Sequence, residues 1–369
     1  AAGLSLIAAT LTGCTTPSSV IPNTHVTIAE VGTLTTLNSD VSESAANKIA
    51  SDVAGLTMQN FYEIAQDGKL VANKSFGKVQ IIKEEPFTVG YTLAETALWS
   101  DGSSVDSTDL ALAVAAAKYE AFDSTHFAST LSTATIVGTP KPGGTELVIT
   151  YPNPVADWRT ALKISAPAHV VGKVAGFSGN VATVRAGIIS AIAAKDLEKL
   201  TKLGSAYSSA FAPAAEITNF ATTGAYTINK VSDQALELKA VRDFAGTHSA
   251  IAETVYVNLF ADNASAFKAV GSGKAERFAP LVSLNEPQSD LVTQSQALDT
   301  KKVKVLAPTS AQSEQFLINL SGLTFSDATY NSPKTGGILR QAFMNMVPKA
   351  RANDFASLTQ VITRSDSFV

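Results

Sequence analysis

Residues 87–119, FTVGYTLAETALWSDGSSVDSTDLALAVAAAKY, constrain the fold more than any other stretch of this chain. Phe87, Val89, Tyr91 and Leu93 fall on one side of an alternating run, the period-2 mark of a half-buried strand. Trp99-Ser100-Asp101-Gly102 follows, and Asp-Gly predicts a tight turn because Gly accepts a positive φ at no steric cost. Asp106 stands three residues before Asp109, a capping-box-like spacing that satisfies N–H groups left over where a helix starts. Leu110, Ala113, Val114 and Ala117 then recur at helical spacing, which predicts a helix with a small-residue apolar face.

A chain of 369 residues can bury one or two substantial cores, and two lobes is the natural expectation. With 45% hydrophobic and 16% charged residues it reads as folded and soluble rather than disordered. A net charge of −4 without any basic cluster argues against a nucleic-acid partner. One cysteine excludes an intramolecular disulfide and a cysteine-based zinc site, and neither a metal nor a cofactor is expected.

Enzyme signatures fail residue by residue. The four histidines His25, His126, His169 and His248 lack the H-E-x-x-H spacing that presents two imidazoles on one helical face. Gly176-Phe177-Ser178-Gly179-Asn180 lacks the closing Gly of a nucleophile elbow. Gly271-Ser272-Gly273-Lys274 is no phosphate loop, since Lys268 replaces its first Gly and Ala275 the magnesium-binding Ser/Thr. The chain is therefore not expected to be an enzyme.

The N-terminus is apolar from Ala1 to Thr12, too short to span a bilayer as a helix but of the length of a signal-peptide core. Leu11-Thr12-Gly13-Cys14 resembles a bacterial lipobox, which implies a signal-peptide remnant over 1–14 and lipidation of Cys14. The Pro/Ser/Thr run over 15–24 is then a tether. The expected location is extracytoplasmic, lipid-anchored to a bacterial cell membrane.

Trp99, Ser100, Asp101, Gly102, Val105 and Asp109 together resemble the signature of the family 5 extracellular solute-binding proteins of ABC importers, with Ser104 where that family writes Pro. These are receptors for di- and oligopeptides, nickel chelates and some sugars. Further segments are similar to the same family. Ala221–Ile228 resembles its Gly-Pro-Tyr return strand with Ala225 for Pro, leaving Gly224 free to take positive φ. Asn60-Phe61-Tyr62-Glu63 stands at its Tyr-Glu-Gly-Leu position, and Ala166–Val170 at its Pro-x-His segment. Phe316-Leu317-Ile318-Asn319 and Gly337–Phe343 resemble a cleft strand and a helix start of the second lobe.

The resemblance implies an α/β, two-lobed periplasmic-binding-protein-like fold of type II, with an insert subdomain in lobe I and an incomplete lobe II. Lobe I is expected over 25–300 with the insert at about 70–200, and a partial lobe II over 301–369, both ends of the native chain being absent. It also implies cleft-lining roles for Thr35, Leu37, Asn38, Tyr62, Thr223, Gly224, Ala225, Tyr226 and Asn319, with Trp99, Ser100, Asp101, Gly102 and Asp109 as structural signature. The implied function is capture of a peptide or similar small solute by lobe closure and delivery to a permease–ATPase complex, the receptor being a monomer. The alternative reading is a surface lipoprotein of the same fold that serves interaction or signalling without transport.

Local expectations complete the reading. A strand is expected over Val26–Val31, a helix over Ala45–Tyr62, and one amphipathic helix over Asn180–Leu203. Strands are expected at Ile136–Val137 and Leu147–Tyr151, around Leu236 and Leu238, and around Val255, Val257 and Leu259. Asp262 or Asn263 should cap a helix ending at Gly271–Gly273, and Lys302–Leu306 should be a strand crossing into the second lobe.

Overall fold

The computed structural model describes residues 18–42, 49–64, 69–127, 129–244, 246–278, 303–306 and 361–364. In chain order the elements are β1 (Ile21–Val31), α1 (Ile49–Thr57), β2 (Tyr62–Ile64), β3 (Leu70–Ala72), β4 (Gly77–Lys83), β5 (Phe87–Leu93) and α2 (Ser107–Lys118). Then follow β6 (Thr135–Ile136), β7 (Glu146–Tyr151), α3 (Ala168–Val174), α4 (Val181–Ala194), α5 (Leu197–Ser209), β8 (Tyr226–Val231) and β9 (Ala235–Ala240). The last are β10 (Ala252–Phe260), α6 (Asn263–Ser272), β11 (Arg277–Phe278), β12 (Val303–Leu306) and β13 (Val361–Arg364). Two units emerge. The first takes the chain up to His25, Thr36–Val231 and Glu237–Val255; the second takes Val26–Thr35, Ser232–Leu236 and Tyr256 onward.

The first unit is built on the stretch that dominates the sequence. β5 lies inside a four-stranded antiparallel sheet of order β4-β5-β7-β6, with Val89 opposite Ile81 on one side and Ile149 on the other. Phe87, Val89, Tyr91 and Leu93 are buried as their alternation predicts, but Thr88 and Gly90 are buried too. The strand is covered on both faces, not half-buried.

α2 departs from expectation in the same way. Its residues Ser107–Ala117 are all buried, so it has no solvent face for an amphipathic pattern to record. Leu110, Ala113, Val114 and Ala117 pack into a core with Tyr91, Trp99 and Ile149. Leu112, Ala115 and Ala116 pack into a second core with Phe122, Ile188, Leu203 and Tyr207. One helix thus walls two cores, and its alanines let neighbouring elements close on both sides.

The polar start of α2 holds this arrangement together. Asp106 is the N-cap, its carboxylate accepting from Thr108 N (2.8 Å) and from Gly143 N (2.7 Å) in the turn before β7. Arg185 of α4 pairs with the same carboxylate, Nε to Oδ2 at 3.2 Å. Asp109 closes the capping box from Asp106 N at 2.8 Å, accepts from Ala168 N at 2.7 Å, and receives Trp99 Nε1 at 3.4 Å. Burial first, then the neighbouring Asp106 charge, push the Asp109 carboxyl up to about 7 against the N–H donors and Arg185 that favour the anion. Gly102 takes φ +84°, as the Asp-Gly turn predicts.

His169 is a buried structural group, as a lone histidine in an apolar segment most often is. Its Nε2 lies 2.7 Å from Asp101 Oδ2, and its ring packs edge-on to Trp99. Its Nδ1 is buried without a hydrogen-bond partner, so protonation would strand an N–H there. Burial accordingly holds its pKa below the ordinary imidazole value, against the pull of Asp101.

Two helix boundaries correct the sequence reading. Within the described part of Ala45–Tyr62, α1 stops at Thr57 and Tyr62 opens β2. The helix ends there because Thr57 O accepts from both Thr223 N and Gly224 N, 3.0 and 2.8 Å away. The expected helix over Asn180–Leu203 is two helices. Lys195 takes φ +52° and caps α4, while Asp196 caps α5 through Lys199 N. Ile188, Ile189 and Leu200 are buried on both sides of the break, which is why apolar spacing hides it. β1 begins at Ile21, inside the stretch expected as tether.

In the second unit, β1 pairs in parallel with β11 (Ile28 with Arg277, Ala29 with Phe278), β11 pairs antiparallel with β13, and β13 antiparallel with β12. Asp262 caps α6 through Ser265 N and Gly273 ends it at φ +77°, as expected. Phe267 and Val270 of α6 pack with Ala29, Val31 and Phe278. The expected strand at Phe316–Asn319 and helix at Gly337–Phe343, like Cys14, lie outside the described residues.

Two measurements test this account. Asp109→Asn places an amide donor where three N–H groups converge, and should cost about 2–4 kcal/mol in urea unfolding at unchanged m-value; a loss below about 1 kcal/mol would contradict the clamp. His169, with its pKa depressed, contributes stability that is complete above the ordinary value of 6.5 and is lost as pH falls below it. Wild type should therefore lose stability relative to His169→Gln between about pH 7.5 and 5.5, and parallel curves would refute the assignment.

Candidate functional site

The end of α1 lies along a groove in the first unit formed by two adjoining pockets of about 530 and 480 Å³, which share Gly55, Met58, Asn60 and Lys163. Both volumes fall in the range of small-molecule sites. Tyr62, Gly224, Ala225 and Tyr226, all expected to line a cleft, line the first pocket with Gln59, Glu63, Phe244 and His248.

Gln59 forms the polar floor. Its N–H donates to Thr223 Oγ1 at 2.8 Å and its side-chain amide to Thr223 O at 2.6 Å, while its Oε1 accepts from Asn73 Nδ2 at 3.1 Å. Asn73 also donates to Glu63 Oε1 at 3.3 Å, and Glu63 Oε2 lies 3.0 Å from His248 Nε2 at the surface. Thr223, expected to line the cleft, is a buried support for Gln59 instead. Tyr226 donates its hydroxyl to Ala252 O at 2.9 Å, fixing that ring.

Gly224 is needed for a reason other than the one expected. It is not among the residues with positive φ. A Cβ there would lie 2.5 Å from Thr57 C and 2.8 Å from Leu56 O and Met58 N, all backbone atoms. Close approach to the α1 terminus, not left-handed backbone, requires glycine. The neighbouring segment is tied to the Trp-Ser-Asp-Gly turn, Ser100 N donating to Thr222 O (2.7 Å) and Thr222 N to Ser100 Oγ (3.0 Å). The two sequence signatures are thus hydrogen-bonded to each other beside the groove.

The second pocket is more polar, and the sequence reading missed its residues. Asp40 accepts from Ser124 (2.8 Å), Thr125 (2.7 Å) and Tyr207 (3.0 Å), and lies 2.5 Å from His126 Nδ1. Burial works to raise the Asp40 carboxyl, but His126 and the two hydroxyls of Thr125 and Ser124 outweigh it and hold it below the ordinary range. Ser165 reaches Tyr207 OH at 2.7 Å. Lys163, common to both pockets, is exposed and makes no ion pair among the described residues, which leaves a cation midway along the groove.

Three expected cleft residues lie elsewhere. Asn38 is buried and clamps backbone, its Nδ2 donating to Tyr207 O and its Oδ1 accepting from Asp40 N. Leu37 is half-buried against the second core. Thr35 is exposed in the second unit. Asn319 lies outside the described residues.

No protein-family model matches this chain. It is 33% identical over 127 residues to uncharacterized lipoproteins of Mycobacterium tuberculosis and Mycobacterium bovis, a match covering 33% of this chain and 23% of each relative. Among solved structures it is similar to the periplasmic EDTA-binding protein EppA (17% identity, TM-score 0.56, covering 84% of this chain and 54% of that one). NikZ from Campylobacter jejuni in complex with Ni(L-His) gives 17% identity and TM-score 0.55, covering 88% and 56%. The Bacillus subtilis oligopeptide-binding protein AppA in complex with a nonapeptide gives 14% and 0.54, covering 79% and 49%. The fold is that of the periplasmic binding proteins. This chain spans about half the length of those structures.

Gly224→Ala tests the groove wall. The forced separation from Thr57 should cost about 1–3 kcal/mol of stability. Hydrogen-exchange protection at Thr223 and Gly224 should fall with it, and full protection would show that the contact is dispensable.

Proposed function

We propose that this protein is a solute-binding lipoprotein of the family 5 type, which holds a peptide or similar small solute in the groove of its first unit and delivers it to an ABC permease. The observation that carries the reading is the convergence of Tyr62 and Gly224–Tyr226, two segments far apart in sequence, on one groove of ligand size. The fold likeness to proteins whose structures hold a nonapeptide or a nickel–histidine complex supports it, and so does the name of the mycobacterial relatives. Leu11-Thr12-Gly13-Cys14 supplies the anchor, with Cys14 lipidated and the protein held outside the cytoplasmic membrane. Binding rather than catalysis is the role, exercised as a monomer with permease and ATPase subunits as partners.

The groove's chemistry suits a peptide. Tyr62, Phe244 and Met58 offer apolar surface, Asn60 offers an amide group, and Lys163 offers a cation for a carboxylate. Calorimetric titration of the whole protein with tri- to pentapeptides, with Ni(L-His) alongside, tests this. Peptides should bind, and Tyr62→Ala should weaken them about tenfold, the usual weight of a central aromatic contact. Equal affinity in the variant would move the site elsewhere, and binding of the nickel complex alone would change the solute class.

A further inference from the structure

A third pocket, of about 290 Å³, opens in the first unit where α2 and α4 end beside β6 and the loop that follows it. It shares no lining residue with the groove. Val114, Ile136, Ile189 and Ile192 give it apolar walls, and Lys118 and Lys195 complete them with two cations. No Asp or Glu lines it, and neither lysine makes an ion pair among the described residues.

Two unpaired ammonium groups beside one apolar pocket call for an explanation. Lys118 is half-buried, and burial first, then the charge of Lys195, hold its pKa below the ordinary range. Both lysines sit at helix C-termini, where the helix dipole favours a cation by about 0.3–1 kcal/mol. That accounts for one lysine at each end, not for their convergence. Lys195 moreover takes φ +52°, where Gly or Asn is the usual choice, so the backbone does not call for lysine either.

We infer that this pocket binds a small apolar carboxylate, with its hydrocarbon body against Val114, Ile136, Ile189 and Ile192 and its carboxylate between the amines of Lys118 and Lys195. The volume lies at the lower end of small-molecule sites, which suits an anion of some ten heavy atoms rather than a peptide. A carboxylate there neutralises the lysine–lysine repulsion and forms charge-assisted hydrogen bonds, roughly twice as strong as neutral ones. The inference does not rest on the importer reading, since it concerns separate residues.

The test is a calorimetric titration of the whole protein with octanoate, and with 1-octanol as its uncharged twin. Octanoate should bind at one site, and octanol at least about tenfold more weakly. Lys118→Met keeps the methylene packing, and Lys195→Asn suits the left-handed backbone; each should weaken octanoate about tenfold in a protein whose thermal transition is unchanged. Should a variant fold poorly, the wild-type salt dependence decides, because octanoate affinity must fall with ionic strength while octanol affinity stays constant. No octanoate binding, equal binding of the alcohol, or full binding by either folded variant would each overturn the site.

Discussion

The first unit depends on one buried carboxylate. Asp109 accepts N–H groups from its own helix cap, from the start of α3 and from the Trp99 indole, so three segments meet at one side chain. None of these partners offers an acceptor, so only a carboxylate satisfies them all. Burial and Asp106 oppose that charge and outweigh the N–H donors and Arg185, itself paired with Asp106, which favour it. Such a charge is tolerated because its partners are already fixed by their own elements.

The same clamp reaches the groove through the backbone. Trp99 is followed by Ser100, which exchanges hydrogen bonds with Thr222, and the next two residues end α1 at Thr57. Gln59, held by Thr223, lines that groove. A helix cap buried in the core therefore sets the position of side chains at a surface groove, through hydrogen bonds in which the Ser100 and Thr223 hydroxyls join main-chain groups. Shape here is transmitted by main chain and short side chains hydrogen-bonded to it, which have few ways to relax.

Much of this was legible in the sequence wherever the signal was local. Asp106 with Asp109, Gly102 in its turn, Asp262 with Gly273, and the alternation of Leu236 and Leu238 each act within a few residues, and the structure contains each of them. Tyr62 and Gly224–Tyr226 were placed by resemblance and line the groove. What was illegible is what the fold assembles from afar. Asp40 and His126 are 86 positions apart, and neither sits in a pattern. The break at Lys195 was hidden because a left-handed residue carrying a long side chain looks helical. The positive φ expected at Gly224 is absent, and the close approach that requires glycine there leaves no trace in the sequence beyond the glycine itself.

The burial of α2 on every side has a further meaning. Its alanines put the two cores about one helix diameter apart, on the order of 10 Å. Neither core can swell or loosen without shifting the shared helix, so the two cannot melt separately. Backbone amides on either side should open through one cooperative event rather than through independent local ones. Met58 and Tyr62 of the groove pack against one of these cores, so the groove is backed by a wall that opens only as a whole.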